Sequence, residues 1–316
     1  ARKDLPFVKA VGKEAFEVNG SKYGTWKEAV SALEKAVSGE IILRDDVELQ
    51  EKDEFPSVSC TIRSGDERKC KIKGGVMEAK ADIAFENVVY DVRRIYGNGY
   101  SVTIGTDVET TFSFMKRSIF AGVAYDAEEK EITANPVISV ESGKFVLYGS
   151  GSGGTTLKGN VEIRVKGTAE AEVAGAYMNS TVDGKVTVTV EDQASLSEFL
   201  GEQNKGSAKE LELILMGSPK LDGRTFRGTV NGTPKGTLNL RQASLSPEQA
   251  EKFKDFAEIL KADSPAAEEN LLTKPAVEVE TEAMEKEKAA EEAVAIEKMI
   301  AESVSNFSDP EESDFL

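Results

Sequence analysis

The 316-residue sequence contains no histidine, two cysteines and one tryptophan. The missing histidine excludes Ser-His-Asp and Cys-His mechanisms, His-ligated zinc and haem, and the usual side chain that titrates near neutral pH. Two cysteines are too few for a Cys-only zinc site. No apolar run reaches the roughly eighteen residues of a membrane-spanning helix. Positive charge is in short supply: 39 Lys and Arg face 56 Asp and Glu, a net of −17. That balance argues against duplex nucleic acid as a partner, because a duplex needs a basic footprint. What is present is a 40% apolar fraction and 27 glycines, the composition of a folded chain rich in strands and turns.

The acidity is uneven. From Asp263 to Leu316 sixteen Asp or Glu stand against four Lys, a net of −12, which leaves only −5 for the rest. This tail reads as a solvated helix and an acidic end, or as an interaction tail for a basic partner. The chain opens Ala1-Arg2-Lys3-Asp4 without Met, which suits a processed end or a trimmed one equally.

The first sharp local signal is Thr25-Trp26-Lys27-Glu28, a capping box. Trp26, Val30, Leu33 and Val37 then put one apolar stripe on a helix from Thr25 to Ser38, with Gly39 as its left-handed stop. After it, short β-rich runs start near Ile41, Cys60, Ile83, Val102, Val137, Val161, Val186, Leu211 and Thr237. Ser118-Ile119-Phe120-Ala121 fills the long gap between Val102 and Val137 as another strand of that series, and Lys144–Tyr148 and Ala171–Ala174 read as secondary strands. Most of these starts are 19 to 26 residues apart, the length of one solenoid coil; sandwich strands recur about every 8–12 residues. A second capping box, Ser246-Pro247-Glu248-Gln249, opens a helix expected to reach Lys261, its stripe made by Phe253, Phe256, Ala257 and Leu260. Residues 264–275 read as a linker and 277–304 as a helix rich in Ala, Glu and Lys.

The stretch Phe16-Glu17-Val18-Asn19-Gly20-Ser21-Lys22-Tyr23-Gly24-Thr25-Trp26-Lys27-Glu28-Ala29, with Leu43-Arg44-Asp45-Asp46-Val47 after the helix, resembles the amino-terminal opening of pectate-lyase-like right-handed parallel β-helix proteins. Cys60-Thr61-Ile62-Arg63-Ser64-Gly65 and Lys71-Ile72-Lys73-Gly74-Gly75 resemble the first coils of that family. The resemblance covers about residues 15–75, is a bare pattern from 76 to 241, and stops before the tail. It implies a fold and leaves activity open, since the fold hosts lyases, hydrolases and many bacterial surface proteins without known catalysis.

A lyase of this kind places an Arg or Lys base beside carboxylates that hold calcium. The matching residues here are Arg93 and Arg94 with Asp91, and Asp107 with Glu109, weighed against their being solvated turn charges. Calcium takes six to eight oxygen ligands, and no regular Asp-rich cluster supplies them, so no cofactor is expected and calcium stands as the alternative. The clustered Asp and His of β-helix polygalacturonase-type enzymes do not carry over, because there is no His. Cys60 and Cys70 form one disulfide in an oxidising compartment or remain two buried thiols. The segment 149–156 lacks the Lys of a phosphate loop and reads as a flexible turn. Among Tyr90, Tyr96, Tyr100, Phe112, Phe114, Phe120 and Tyr125, most read as core, with Tyr96 and Tyr100 kept as candidates for an exposed platform.

The expectation is thus a mainly β chain: an arm over 1–17, a right-handed parallel β-helix over 18–241, a capping helix over 242–262, and an acidic linker and helical tail over 263–316. The expected setting is secreted or cell-surface, and the expected work is non-catalytic recognition or adhesion on a protein or glycan surface. A self-assembling filament or surface-layer subunit, whose partner is further copies of itself, and a polysaccharide lyase are the alternatives.

Overall fold

The computed structural model describes residues 14–50, 53–65, 68–111, 116–223 and 226–262. Most of the expected arm and the whole acidic tail lie outside the described residues. The rest is a parallel β-solenoid of about 8 turns. Among the described residues its strands form a 14-stranded and an 11-stranded sheet, and each coil gives strands to both.

The alternation read from the sequence becomes vertical ladders of like residues. In the first sheet Cys60, Ile83, Val102, Ile138, Ile163, Val188, Leu213, Leu238 and Ile259 lie side by side, all pointing inward. A parallel sheet with period-two side chains makes such ladders automatically once every coil starts in register. All nine strand starts expected from the sequence fall in this one sheet. Ser118–Phe120 is indeed a strand, but it belongs to the second sheet, between Val89–Tyr96 and Lys144–Tyr148. The long gap is therefore one enlarged coil. Its return path carries the short strand Glu131–Thr133, which pairs with Thr156–Lys158. Side-chain oxygens at the turns tie coil to coil: Asp46, Asp82, Asn160 and Asp192 accept the backbone N–H of Lys71, Ser101, Lys185 and Ser218 at 2.8–2.9 Å.

Helix α1 (Trp26–Ala36) closes the amino-terminal end. Thr25 accepts the Glu28 N–H at 3.3 Å, and the Glu28 carboxylate accepts the Thr25 N–H at 3.1 Å. Trp26, Ala29 and Leu33 are buried. Trp26 also joins a relay of edge-on rings, Phe16, Trp26, Phe55, Phe85, Tyr90 and Phe145, with centroids 5.1–6.4 Å apart through the interior. The helix ends at Ala36, three residues before Gly39. Val37 takes the left-handed conformation at φ 69°, and its side chain is 73% exposed.

The carboxy-terminal end corrects the sequence reading. Helix α2 (Pro247–Ala250) has the expected capping box but is a single turn that buries nothing. Phe253–Lys254 and Glu258–Leu260 are strands that continue the second and first sheets. The helical spacing of Phe253, Phe256 and Leu260 was thus misleading. Asp255 between them sits at φ 59°, which a helix does not allow, and the stacks Phe226–Phe253 and Phe199–Phe256 hold the rings on the preceding coils.

One corner, where the second sheet hands the chain back to the first, is lined by Gly149, Gly175 and Gly201 on successive coils. A Cβ on Gly149 would lie 2.4 Å from the Gly175 carbonyl oxygen, and one on Gly175 would lie 2.7 Å from that of Gly201. Only glycine lets the coils stack this closely there.

Candidate functional site: an aromatic corner on the second sheet

The outward positions of the second sheet bring Tyr96, Phe120 and Tyr148 into register on three neighbouring strands. Their rings stack, with centroids 4.7 and 4.4 Å apart, and Tyr177 continues the row 4.4 Å from Tyr148. With Ala124, Val146 and Ala174 they form a second apolar cluster, separate from the interior core. Tyr96 and Phe120 are fully buried, while Tyr177 is half-buried.

Residues 149–156 help to cover this cluster, which corrects their reading as a flexible turn. Ser150, Ser152 and Thr155 are buried, and Ser152 Oγ lies 2.9 Å from the Tyr96 hydroxyl. A Cβ on Gly151 would meet the Val123 carbonyl oxygen at 2.3 Å, so the glycines serve close packing here. Gly153 donates to the Met178 carbonyl at 2.9 Å and lies against Tyr125. Tyr125 and Met178 are 61% and 42% exposed, so they make an open rim beside the stack.

The next outward row carries the charge. Arg94, Ser118, Val146, Glu172 and Glu198 are register neighbours across five strands. Adjacent members of such a row are about 4.8 Å apart at the backbone. The Arg94 guanidinium carbon lies 5.4 Å from the Phe120 ring centre and 5.8 Å from that of Tyr96, and Arg94 donates to the Tyr96 hydroxyl at 3.3 Å. At the other end of the row, Lys116 pairs with Glu172. Burial pushes the Tyr148 hydroxyl up to about 12, Tyr177, Glu172 and Glu198 add to that, and Arg94 opposes it. Tyr148 is therefore a protonated donor at neutral pH. Ring faces, a hydroxyl donor and two neighbouring carboxylates suit a ligand with an apolar C–H face and hydroxyl or amino donors.

The residues singled out from the sequence divide. Arg94 and Tyr96 join the corner. Arg93 is exposed, and Tyr100 is 43% exposed in the turn that follows Tyr96. Asp91 does not sit with the arginines that follow it; it accepts from Arg117, which is buried, and from Thr111 at 2.9 Å. Asp107 occupies a turn at φ 58°, and Glu109 pairs with Lys69. Among the described residues no group of three or more carboxylates or thiols is arranged to hold a metal ion. Cys60 and Cys70 are free, buried thiols rather than a disulfide. Cys60 opens a strand of the first sheet, whereas Cys70 precedes a strand of the second, where its thiol donates to the Leu43 carbonyl at 3.4 Å. Burial pushes the Cys60 thiol up to about 12 and raises that of Cys70, so neither is a ready nucleophile.

Tyr148, Tyr177, Glu172 and Glu198 were missed by the sequence reading. For Tyr148 and Glu172 the signal was there, in alternate outward positions of Lys144–Tyr148 and Glu170–Tyr177. A separate cleft of about 450 Å³ lies beside α1, between Trp26, Val30 and Phe55, with Glu34, Asp53 and Glu54 at its rim. No family model, curated protein or solved structure matches this chain.

Proposed function

We propose that this chain is a non-catalytic recognition module whose ligand is a glycan lying along the aromatic corner. The observation that carries the reading is the Tyr148–Tyr177 ring pair, 4.4 Å apart, beside the Glu172–Glu198 row. A sugar ring offers its C–H face to the open side of Tyr177, which Tyr148 backs, and its hydroxyls to the carboxylates. The rigid sheet fixes that spacing, and Tyr125 and Met178 extend the contact beyond one sugar unit. A secreted or cell-surface setting fits this use. So does the resemblance to the right-handed pectate-lyase-like β-helix, which rests on the Thr25-capped helix and the strand after it.

Catalysis fits less well. A lyase needs its base beside free calcium ligands, but Arg94 is engaged with two aromatic rings and Asp91 is taken up by Arg117 and Thr111. Titration calorimetry with neutral and acidic oligosaccharides tests the reading. Saturable binding should appear, Tyr177→Ala should weaken it at least tenfold in a protein that still folds, and Tyr125→Ala, at a 61% exposed ring, should weaken it without altering the melting curve. Absence of binding across a broad glycan array would sink the proposal.

A further inference from the structure

We infer that the carboxy-terminal end of the solenoid docks a second copy of this chain, end to end about a two-fold axis. The inward ladder of the first sheet shows why. Val188 and Leu213 are fully buried and Leu238 is 1% exposed, but the last rung, Ile259, is 47% exposed. The apolar core is therefore open at its final coil. The strand Glu258–Leu260 also has only one neighbour among the described residues, Thr237–Ala243. Among the described residues that strand has no partner on its outer edge, the place where a further strand adds.

This end has two needs, apolar cover and edge hydrogen bonds. A helix meets the first; only an extended strand meets both. The same strand of a second copy is such a partner. Antiparallel pairing centred on Ile259 sets that residue against its counterpart and keeps both inward faces continuous. The amino-terminal end presents a different surface among the described residues: α1 buries Leu33 and Trp26, and the outermost strand is the short, polar Ser21–Tyr23. A head-to-tail contact would set Ile259 against that polar edge, whereas the two-fold contact sets it against its own counterpart, and an isologous pair closes at two copies.

Charge permits the approach. The last coil carries Arg241, Lys252, Lys254 and Lys261 against Glu248, Glu251, Asp255 and Glu258, a balance of zero in a chain of −17. The two coils themselves meet without net repulsion, while the −12 of residues 263–316 that follow opposes the approach and is screened by salt.

Light scattering and sedimentation of the full chain from about 1 to 100 μM test this. A species of twice the 34.1 kDa chain mass is expected. Ile259→Lys should raise the dimer dissociation constant at least tenfold and leave circular dichroism unchanged. Should Ile259→Lys fail to fold, Ile259→Thr provides the milder version of the same shift. Hydrogen exchange at Glu258–Leu260 should slow as the dimer forms. A full chain that stays monomeric throughout overturns the inference, and protection of those amides in that monomer would assign the cover to the chain itself. A dimer that is indifferent to both substitutions overturns it too, since its interface then lies elsewhere.

Discussion

The two ends of the solenoid carry the same helix-starting device with different results. Thr25 with Glu28 and Ser246 with Gln249 are both complete capping boxes. The first begins an 11-residue helix that puts Trp26 and Leu33 over the opening coil. The second begins a four-residue turn with no buried residue. A capping box therefore decides where a helix starts, not whether it covers anything. Cover requires apolar residues within the turns that follow, and α2 has only Ala250 before the chain returns to strand.

The largest test of this contrast is the removal of apolar bulk from each end. Leu33→Ala should cost about 2–5 kcal/mol in denaturant unfolding, because its side chain is fully buried. Phe256→Ala, in a partly buried site, should cost about half as much despite the larger side chain. Equal losses would mean that the two ends are equally closed. The caps come next. Thr25→Ala should cost about 1 kcal/mol of global stability, while Ser246→Ala should change little beyond faster hydrogen exchange in α2. Val37→Gly should raise the melting temperature, with a gain of roughly 0.5–1 kcal/mol, by relieving a β-branched residue at φ 69°.

The smallest effect is one of pH. The Ser57 backbone N–H, with the Ser57 hydroxyl, holds the Glu34 carboxyl below its ordinary range, at Ser57 N and Oγ distances of 3.0 and 2.7 Å. A lowered folded-state pKa means the contribution is present above the ordinary carboxylate range and lost as pH falls through the lowered value. Acid titration of stability should therefore show a shallower low-pH decline in Glu34→Gln than in the parent. Identical profiles would remove Glu34 from the account of the amino-terminal end.

What the sequence made legible follows from how many positions repeat a message. The first sheet could be read because Val161–Val165 and Ser207–Gly217 alternate over five or more residues and their coils match in length. Ser118–Phe120 could not be assigned to its sheet, because three residues carry no register. Phe253 to Leu260 misled because strands of two and three residues around a left-handed Asp255 mimic helical spacing. The corner was half legible. Arg94 and Tyr96 are close together in sequence, but Tyr148, Glu172, Tyr177 and Glu198 meet them only through the stacking of coils, which no local window contains.

The glycine corner also bears on how such a chain changes length. Gly149, Gly175 and Gly201 recur every 26 residues, and each accepts the next coil's backbone where a Cβ would stand. That interval works as a unit of growth. Copying one whole interval in tandem adds a coil with every corner still in place, whereas a piece a few residues shorter or longer would set a side chain against a carbonyl at the corner where it joins. Extra residues are carried instead on a return path, as in the enlarged coil between Val102 and Val137, and the glycines mark the stretch that lengthens in whole steps.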